Sequence, residues 1–317
     1  MAAILLAIGD YSLEKVSGAR ELKRNVVELF RIHPDSGVHS AAEWLLTQWE
    51  EFGTIASLPK EEKESSRNGP PPPRRWIRTP YGQTMVRVNA ADEVNILRNF
   101  LIAVTEVTAA QFRQFDPNKY INAEYSPLPE CPANVVTWPQ AASYCNWLSE
   151  QEGLPLFYPS NTDELARWVA TEKQLLGPGY RLPTDAEWEF ATGAGSGTEL
   201  HFGSDPDLLV RYDWVAENNA AYRIKMGWPQ TNPKTGVEIY SSKPVGLLRP
   251  NDWGLFDTFG NSTEWCNDGI DLGASFERAI RGYAASAHRK MRPREKGSFP
   301  PMVQYNSMGM RVARTIP

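Results

Sequence analysis

A chain of 317 residues that is 41% apolar and 22% charged has room for one large domain and a smaller companion, with enough apolar content for a real core. Its formal charge of −5 gives no general attraction for nucleic acid or an anionic membrane, and no apolar run approaches the roughly 18–20 residues of a spanning helix. Three cysteines, Cys131, Cys145 and Cys266, are too few and too scattered for a disulfide framework, so a reduced, cytoplasmic protein is predicted.

Met1 to Ile8 is apolar but short, lacks a basic start and runs straight into Asp10, which predicts the end of a buried helix and not a signal peptide. Leu22, Val26, Leu29 and Phe30 recur at helical spacing, as do Val38, Ala42, Leu45, Leu46 and Trp49. His33 to Gly37 breaks the two runs, and Ser40 with Glu43 has the capping-box spacing that would start the second helix. Residues 1–59 therefore predict a helical hairpin, which either packs on the rest of the chain or ends a longer helical repeat array. Residues 60–75, charged and then Pro-rich, predict a linker. Residues 76–317 form the main domain.

In that domain Met85–Val88 and Phe100–Val104 predict strands. Thr108 with Gln111, Thr137 with Gln140 and Thr184 with Glu187 predict three capped helices. From Ala194 to Asp252 there is little periodicity and much Gly, Pro, Asn and Trp. So long an irregular stretch stays folded only if a bound ion or buried Trp side chains tie it down.

Five blocks in this domain carry a resemblance: Asn99–Phe112, Val136–Pro155, Tyr180–Ala191, Asn251–Asp268, and a last one from Arg281-Gly282 to Gly309-Met310-Arg311 and Arg314. In residues and order they resemble the formylglycine-generating-enzyme and sulfatase-modifying-factor family. The resemblance implies an α+β, C-type-lectin-like domain with much irregular structure. Helices ahead of such a domain are similar to multidomain bacterial members, which implies further helical or effector domains in a parent protein.

The family's calcium site, carried over by position, would use the Asp257 and Glu264 side chains and the Gly260 and Ser262 carbonyls. Such an all-oxygen set suits a hard cation. The alternative is a hydrogen-bonded turn in which Glu264 pairs with an Arg. A second family calcium site would fall at Asn218-Asn219-Ala220, but the second half of its motif is not matched here. The family's oxidase centre needs two cysteines for copper in the block after Arg281-Gly282. This chain has none from Arg281 to Arg292, and Tyr283 and Ala284 replace the usual Gly-Ser. No copper is expected, because copper(I) is soft and demands thiolates. Cys145 and Cys266 read as buried small hydrophobes and Cys131 as a loop thiol. His33, His39, His201 and His288 form no metal-ligand pattern. Asp185, Glu187 and Glu189 sit where a first helical turn favours acids, so they do not require a catalytic reading.

What remains is Tyr283 to Ser307, with six basic or His side chains between His288 and Lys296. In the family the equivalent segment lines the face that holds the active site or ligand. In retroelement-diversified variable proteins it is the hypervariable surface. Tyr283, Ser286, His288, Arg289, Arg292, Arg294, Phe299, Tyr305 and Asn306 are the expected ligand-binding residues, adaptable contacts on a rigid frame. The alternative is a solvated basic loop. The sequence thus predicts a non-catalytic recognition module for an unknown protein or small ligand, in a narrower form a retroelement-diversified variable protein. The alternative is an oxidase or sulfatase-modifying enzyme working without the copper-binding cysteine pair.

Overall fold

A computed structural model describes residues 1–11, 13, 18–57, 74–90, 93, 95–165, 167–273, 275–288 and 295–316. The predicted 60–75 linker therefore lies outside the described residues up to 73. Helices α1 (Ala2–Ile8), α2 (Ala19–Ile32), α3 (Ser36–Gln48) and α4 (Phe52–Ala56) come first, then strands β1 (Trp76–Arg78), β2 (Thr84–Val88) and β3 (Phe100–Ala103). Helices α5 (Ala109–Phe115), α6 (Trp138–Gln151), α7 (Thr162–Leu165) and α8 (Glu172–Leu175) lead to β4 (Tyr180–Arg181), α9 (Asp185–Gly193) and α10 (Ala216–Lys225). The chain closes with β5 (Thr263–Asp271), β6 (Phe276–Arg281), β7 (Gly297–Phe299), β8 (Met308–Gly309) and β9 (Ala313–Thr315).

Two sheets organise the domain, a five-stranded one in the order β1-β2-β3-β9-β4 and a four-stranded one in the order β7-β6-β5-β8. Residues at successive positions of a strand face opposite sides of a sheet. Met85, Leu101 and Ala103 accordingly enter one core with Phe112, Trp138 and Leu148. Val86, Val88, Phe100 and Ile102 enter another with Phe30, Leu45 and Trp76. The contiguous apolar run of β3 is explained by this: the N-terminal helices cover one face of the sheet and α5 and α6 the other.

The N-terminal helices therefore share a core with the sheet. His39 is fully buried, stacked on Trp76 at 3.7 Å and on Phe30 at 4.9 Å, with its Nδ1 2.6 Å from the Phe30 carbonyl. Gly254 (φ +94°) lies so close that a Cβ there would stand 2.7 Å from the Ser36 carbonyl. Two expectations change. Helix α3 starts at Ser36, because the Asp35 carboxylate accepts from Val38 N–H at 3.1 Å, while Ser40 is buried in mid-helix. Helix α1 buries only Leu5 and leaves Ile4 60% exposed, so it is a surface helix lying on α3.

Of the four predicted capping boxes, the three in the main domain form, at Thr108, Thr137 and Thr184. The irregular stretch contains two unpredicted helical segments, a 3-10 helix over Pro206–Arg211 and α10, whose residues Ala216, Asn219 and Arg223 are buried.

Candidate functional site

Helix α9 supplies the frame. Glu187 closes its own capping box and grips Arg181 with both oxygens at 2.6 Å. Arg281, at the end of β6, pairs with Asp185 and, at 2.8 Å, with Glu189. The acids of α9 are thus engaged by arginines of the frame, which leaves no free carboxylate pair there for acid–base work.

Behind the frame lies a buried acidic cluster. Glu264 is 1% exposed and accepts from Arg311 through both oxygens (2.6–2.9 Å) and from Trp188 Nε1 at 2.7 Å. Asp257, at φ +50°, takes Gly246 N–H at 2.8 Å with Oδ2, while its Oδ1 has no partner. Asp213 takes the N–H groups of Phe259 and Gly260 with one oxygen and leaves the other unpartnered. Glu106 is fully buried with both oxygens unpartnered. Burial pushes Asp257 up to about 7 and Asp213 to about 6, and raises Glu106 well above the carboxylate range with Asp257 and Glu264 adding to the effect. The turn expected to hold calcium thus has the other predicted form, Glu264 paired to an Arg. Gly260 accepts from Ser262 N–H at 2.8 Å, and among the described residues no three His, Cys, Asp or Glu side chains are disposed to share a metal ion. The Glu264 oxygens are thus taken by Arg311 and Trp188, while Asp257 Oδ1, one Asp213 oxygen and both Glu106 oxygens stand without partners beside them.

In front of the frame is a cleft of about 210 Å³. Ala284, Ala285 and Ser286 form one wall, Tyr305, Asn306 and Ser307 another, and Tyr125, Tyr240, Ser242 and Asn261 complete it. The walls are pinned by the main chain: Ala285 N–H donates to Asn261 O at 3.2 Å, and Ser307 O accepts from Thr263 N–H at 2.8 Å. Asn306 is steadied by Asn122 at 2.9 Å. Among the described residues the lining carries hydroxyls and amides and no charged side chain.

The structure therefore brings Ser286, Tyr305 and Asn306 of the predicted face together. Tyr283 stands apart, its hydroxyl 3.4 Å from Glu295, and exposed His288 lies 3.6 Å from Glu217. Phe299 packs on the core and against Tyr305 at 4.9 Å. Lys296 pairs with Asp185 at 3.0 Å. Arg289, Arg292 and Arg294 lie outside the described residues. Tyr125, Tyr240, Ser242 and Asn261 went unrecognised, and the only signal for any of them was Asn261 within a family block. All three cysteines are unpaired and buried, Cys131 included, whose thiol burial pushes up to about 12. It lies, as expected, in a loop, the one between α5 and α6, where it is buried and donates to Ser242 O at 3.7 Å.

Two sheets, capped helices and a long irregular stretch folded around a cleft define a C-type-lectin-like domain. The sulfatase-modifying factor enzyme 1-like domain model matches residues 63–316, and the chain belongs to that family. It is 30% identical to the chaperone protein LppX of Paenibacillus barcinonensis over 56% of this chain and 64% of that one. It is 36% identical to the formylglycine-generating enzyme of Thermomonospora curvata over 28% of this chain and 27% of the enzyme. The chain thus spans less than two thirds of the length of either. Treponema denticola variable protein 1 shares the fold at a TM-score of 0.55 and 22% identity, over 74% of this chain and 95% of that one.

Proposed function

We propose that this chain is a non-catalytic recognition module that binds a protein or small ligand through the 283–307 face, at the cleft between Ser286, Tyr305 and Tyr240. One observation carries this. The segment that resembles the family's copper-binding block lines the cleft with Ala284, Ala285 and Ser286, and supplies no thiol. Tyr rings and hydroxyls on pinned walls suit contact with little ordering loss. The three buried, unpaired cysteines support a cytoplasmic location. Among the described residues no helix is long and apolar enough to cross a membrane. The shared core of the N-terminal helices and the sheet leaves the exposed side of α1 for further helical or effector domains. The narrower proposal, diversification of this face by a retroelement, is tested in the neighbouring DNA by a reverse transcriptase beside a near-copy repeat of the 3′ end.

The purified protein is expected to bind no stoichiometric copper(I) and to form no aldehyde on a sulfatase-type cysteine peptide. Tight copper binding that survives Cys131→Ser, with measurable aldehyde, would restore the enzyme reading. For recognition itself, Ser286→Trp fills the cleft from an exposed position. Displayed peptides selected on the parent chain should lose at least about tenfold in affinity for this variant, about 1.4 kcal/mol, with the melting temperature unchanged. Equal binding by both chains, or no selectable binder, would refute the cleft as the ligand site.

A further inference from the structure

Lys243 is the residue after Ser242 of the cleft wall, and its side chain is completely buried. Its ammonium donates to Asn219 Oδ1 at 2.8 Å, to Ser241 O at 2.6 Å and to Ser241 Oγ at 3.1 Å. The rings of Trp214, Tyr222 and Trp228 surround it, their centroids 5.8, 5.6 and 5.9 Å from Nζ. Among the described residues no carboxylate forms an ion pair with it. A buried charge without a counter-ion persists only where its surroundings solvate it. Here a side-chain carbonyl, a main-chain carbonyl and a hydroxyl supply the oxygens, as they would for a hard metal ion. Aromatic faces add the attraction of their quadrupoles.

Asn219 lies in the Asn218-Asn219-Ala220 segment near which the family resemblance would put a second calcium, a motif matched only in its first half. We infer that the Lys243 ammonium is a tethered cation occupying that oxygen-and-ring shell in place of a metal, and that it ties the irregular 214–243 stretch beneath the cleft. The ties are continuous. Asn219 also donates to Ser241 O at 2.8 Å and to Ala285 O at 3.3 Å, so the shell touches a cleft wall directly. Arg223, one turn further along α10, reaches Ser241 Oγ at 2.6 Å and the Pro229 carbonyl at 2.8 Å. The Lys243 backbone itself is clamped from both sides by Asn261, whose Oδ1 accepts from its N–H at 2.8 Å and whose Nδ2 donates to its carbonyl at 3.3 Å. Burial, with Arg223 nearby, pushes the amine down to about 7, and the three acceptor contacts and three ring faces are the groups that solvate its charged form. An ion held by its own chain cannot be removed by chelation, and so the back of the cleft keeps its shape without calcium.

Two experiments test this. In the unmodified chain, amine acylation mapped by mass spectrometry should modify Lys243 at least about a hundredfold more slowly than exposed Lys225 and Lys234, because a buried group reacts only on opening. In variants, Lys243→Met keeps the volume and removes the charge, and should lower Tm by about 5 °C or more, with no recovery in calcium. Lys243→Ala empties the shell and should gain Tm on titration with calcium or potassium, beyond any response of the parent in the same salt. Acylation of Lys243 at the rate of Lys234 would overturn the inference even if neither variant folds. So would a Met variant melting with the parent, or an Ala variant that ignores both cations.

Discussion

Arg311→Met should remove most of the stability of this protein. Arg311 is completely buried and makes a forked contact with Glu264. The same guanidinium donates to the carbonyls of Ala103 and Val104 at 3.3 Å and of Phe256 and Asp257 at 3.1 Å. It thereby joins β3, β5 and the turn just before β5 through one side chain. Removing one partner of a buried ion pair leaves an uncompensated charge and costs about 3–5 kcal/mol. Val104 O keeps Phe256 N–H at 2.7 Å, but each of the others left without a donor adds roughly 1–3 kcal/mol. Against a usual total of about 5–15 kcal/mol this is most of what there is. Glu264 would also be left beside Glu106, Asp257 and Asp213 with no cation among them. Arg311→Lys, which keeps the charge and loses the fork, should fall between the variant and the parent. Denaturant titration measures all three. A loss below about 1 kcal/mol for Arg311→Met would show that the pair does not hold these elements together.

Asp257→Asn is expected to stabilise the protein at pH 8 and to change it little at pH 4. The Asp257 carboxyl titrates near 3.8 when free, and burial pushes it up to about 7 in the fold. Between these values the folded chain holds a proton that the unfolded chain releases, so stability falls as pH rises. The contribution is fully present below about pH 3.8 and lost through about pH 7. At roughly 1.4 kcal/mol per unit of pKa difference, the carboxylate form is worse than a neutral isostere by roughly 2–4 kcal/mol at pH 8. Asn keeps the acceptor for Gly246 N–H and tolerates the positive φ. Buried His39 and His201, each lowered to about 3, act in the opposite sense between about pH 3 and 6.5 and are common to both chains. The difference between variant and parent therefore isolates Asp257. Calcium held by Asp257 and Glu264 would give the contrary result. Saturating calcium would then raise the parent's stability, by about 2.7 kcal/mol at a hundredfold excess over its dissociation constant, and Asp257→Asn would abolish that gain.

Sequence and structure divide along the range of the interactions. Thr184 and Glu187 stand three residues apart and satisfy each other's backbone, so the start of α9 was legible in a few letters, as were the boxes at Thr108 and Thr137. The family blocks were legible for a related reason. Their tryptophans are the buried anchors of the fold, with Trp138 Nε1 on Cys266 O and Trp265 Nε1 on Val136 O, both at 2.8 Å, and a packed core constrains such positions tightly. The missing cysteines were equally plain, because a soft metal needs its ligands by residue type. Wherever the partner is distant, the sequence left alternatives that only tertiary structure could decide. Asp35 caps α3 in place of Ser40 because Ser40 is buried against the domain. Glu264 faces Arg311, 47 residues away, and burial beside Glu264 pushes the neighbouring carboxyls of Glu106 and Asp257 up. The cleft draws Tyr125, Tyr240 and Ser286 from three separate segments, and spacing along the chain has no means of recording that meeting. Lys243 gave no signal for the same reason, since the oxygens and rings that enclose it converge only when α10 folds back beneath the cleft.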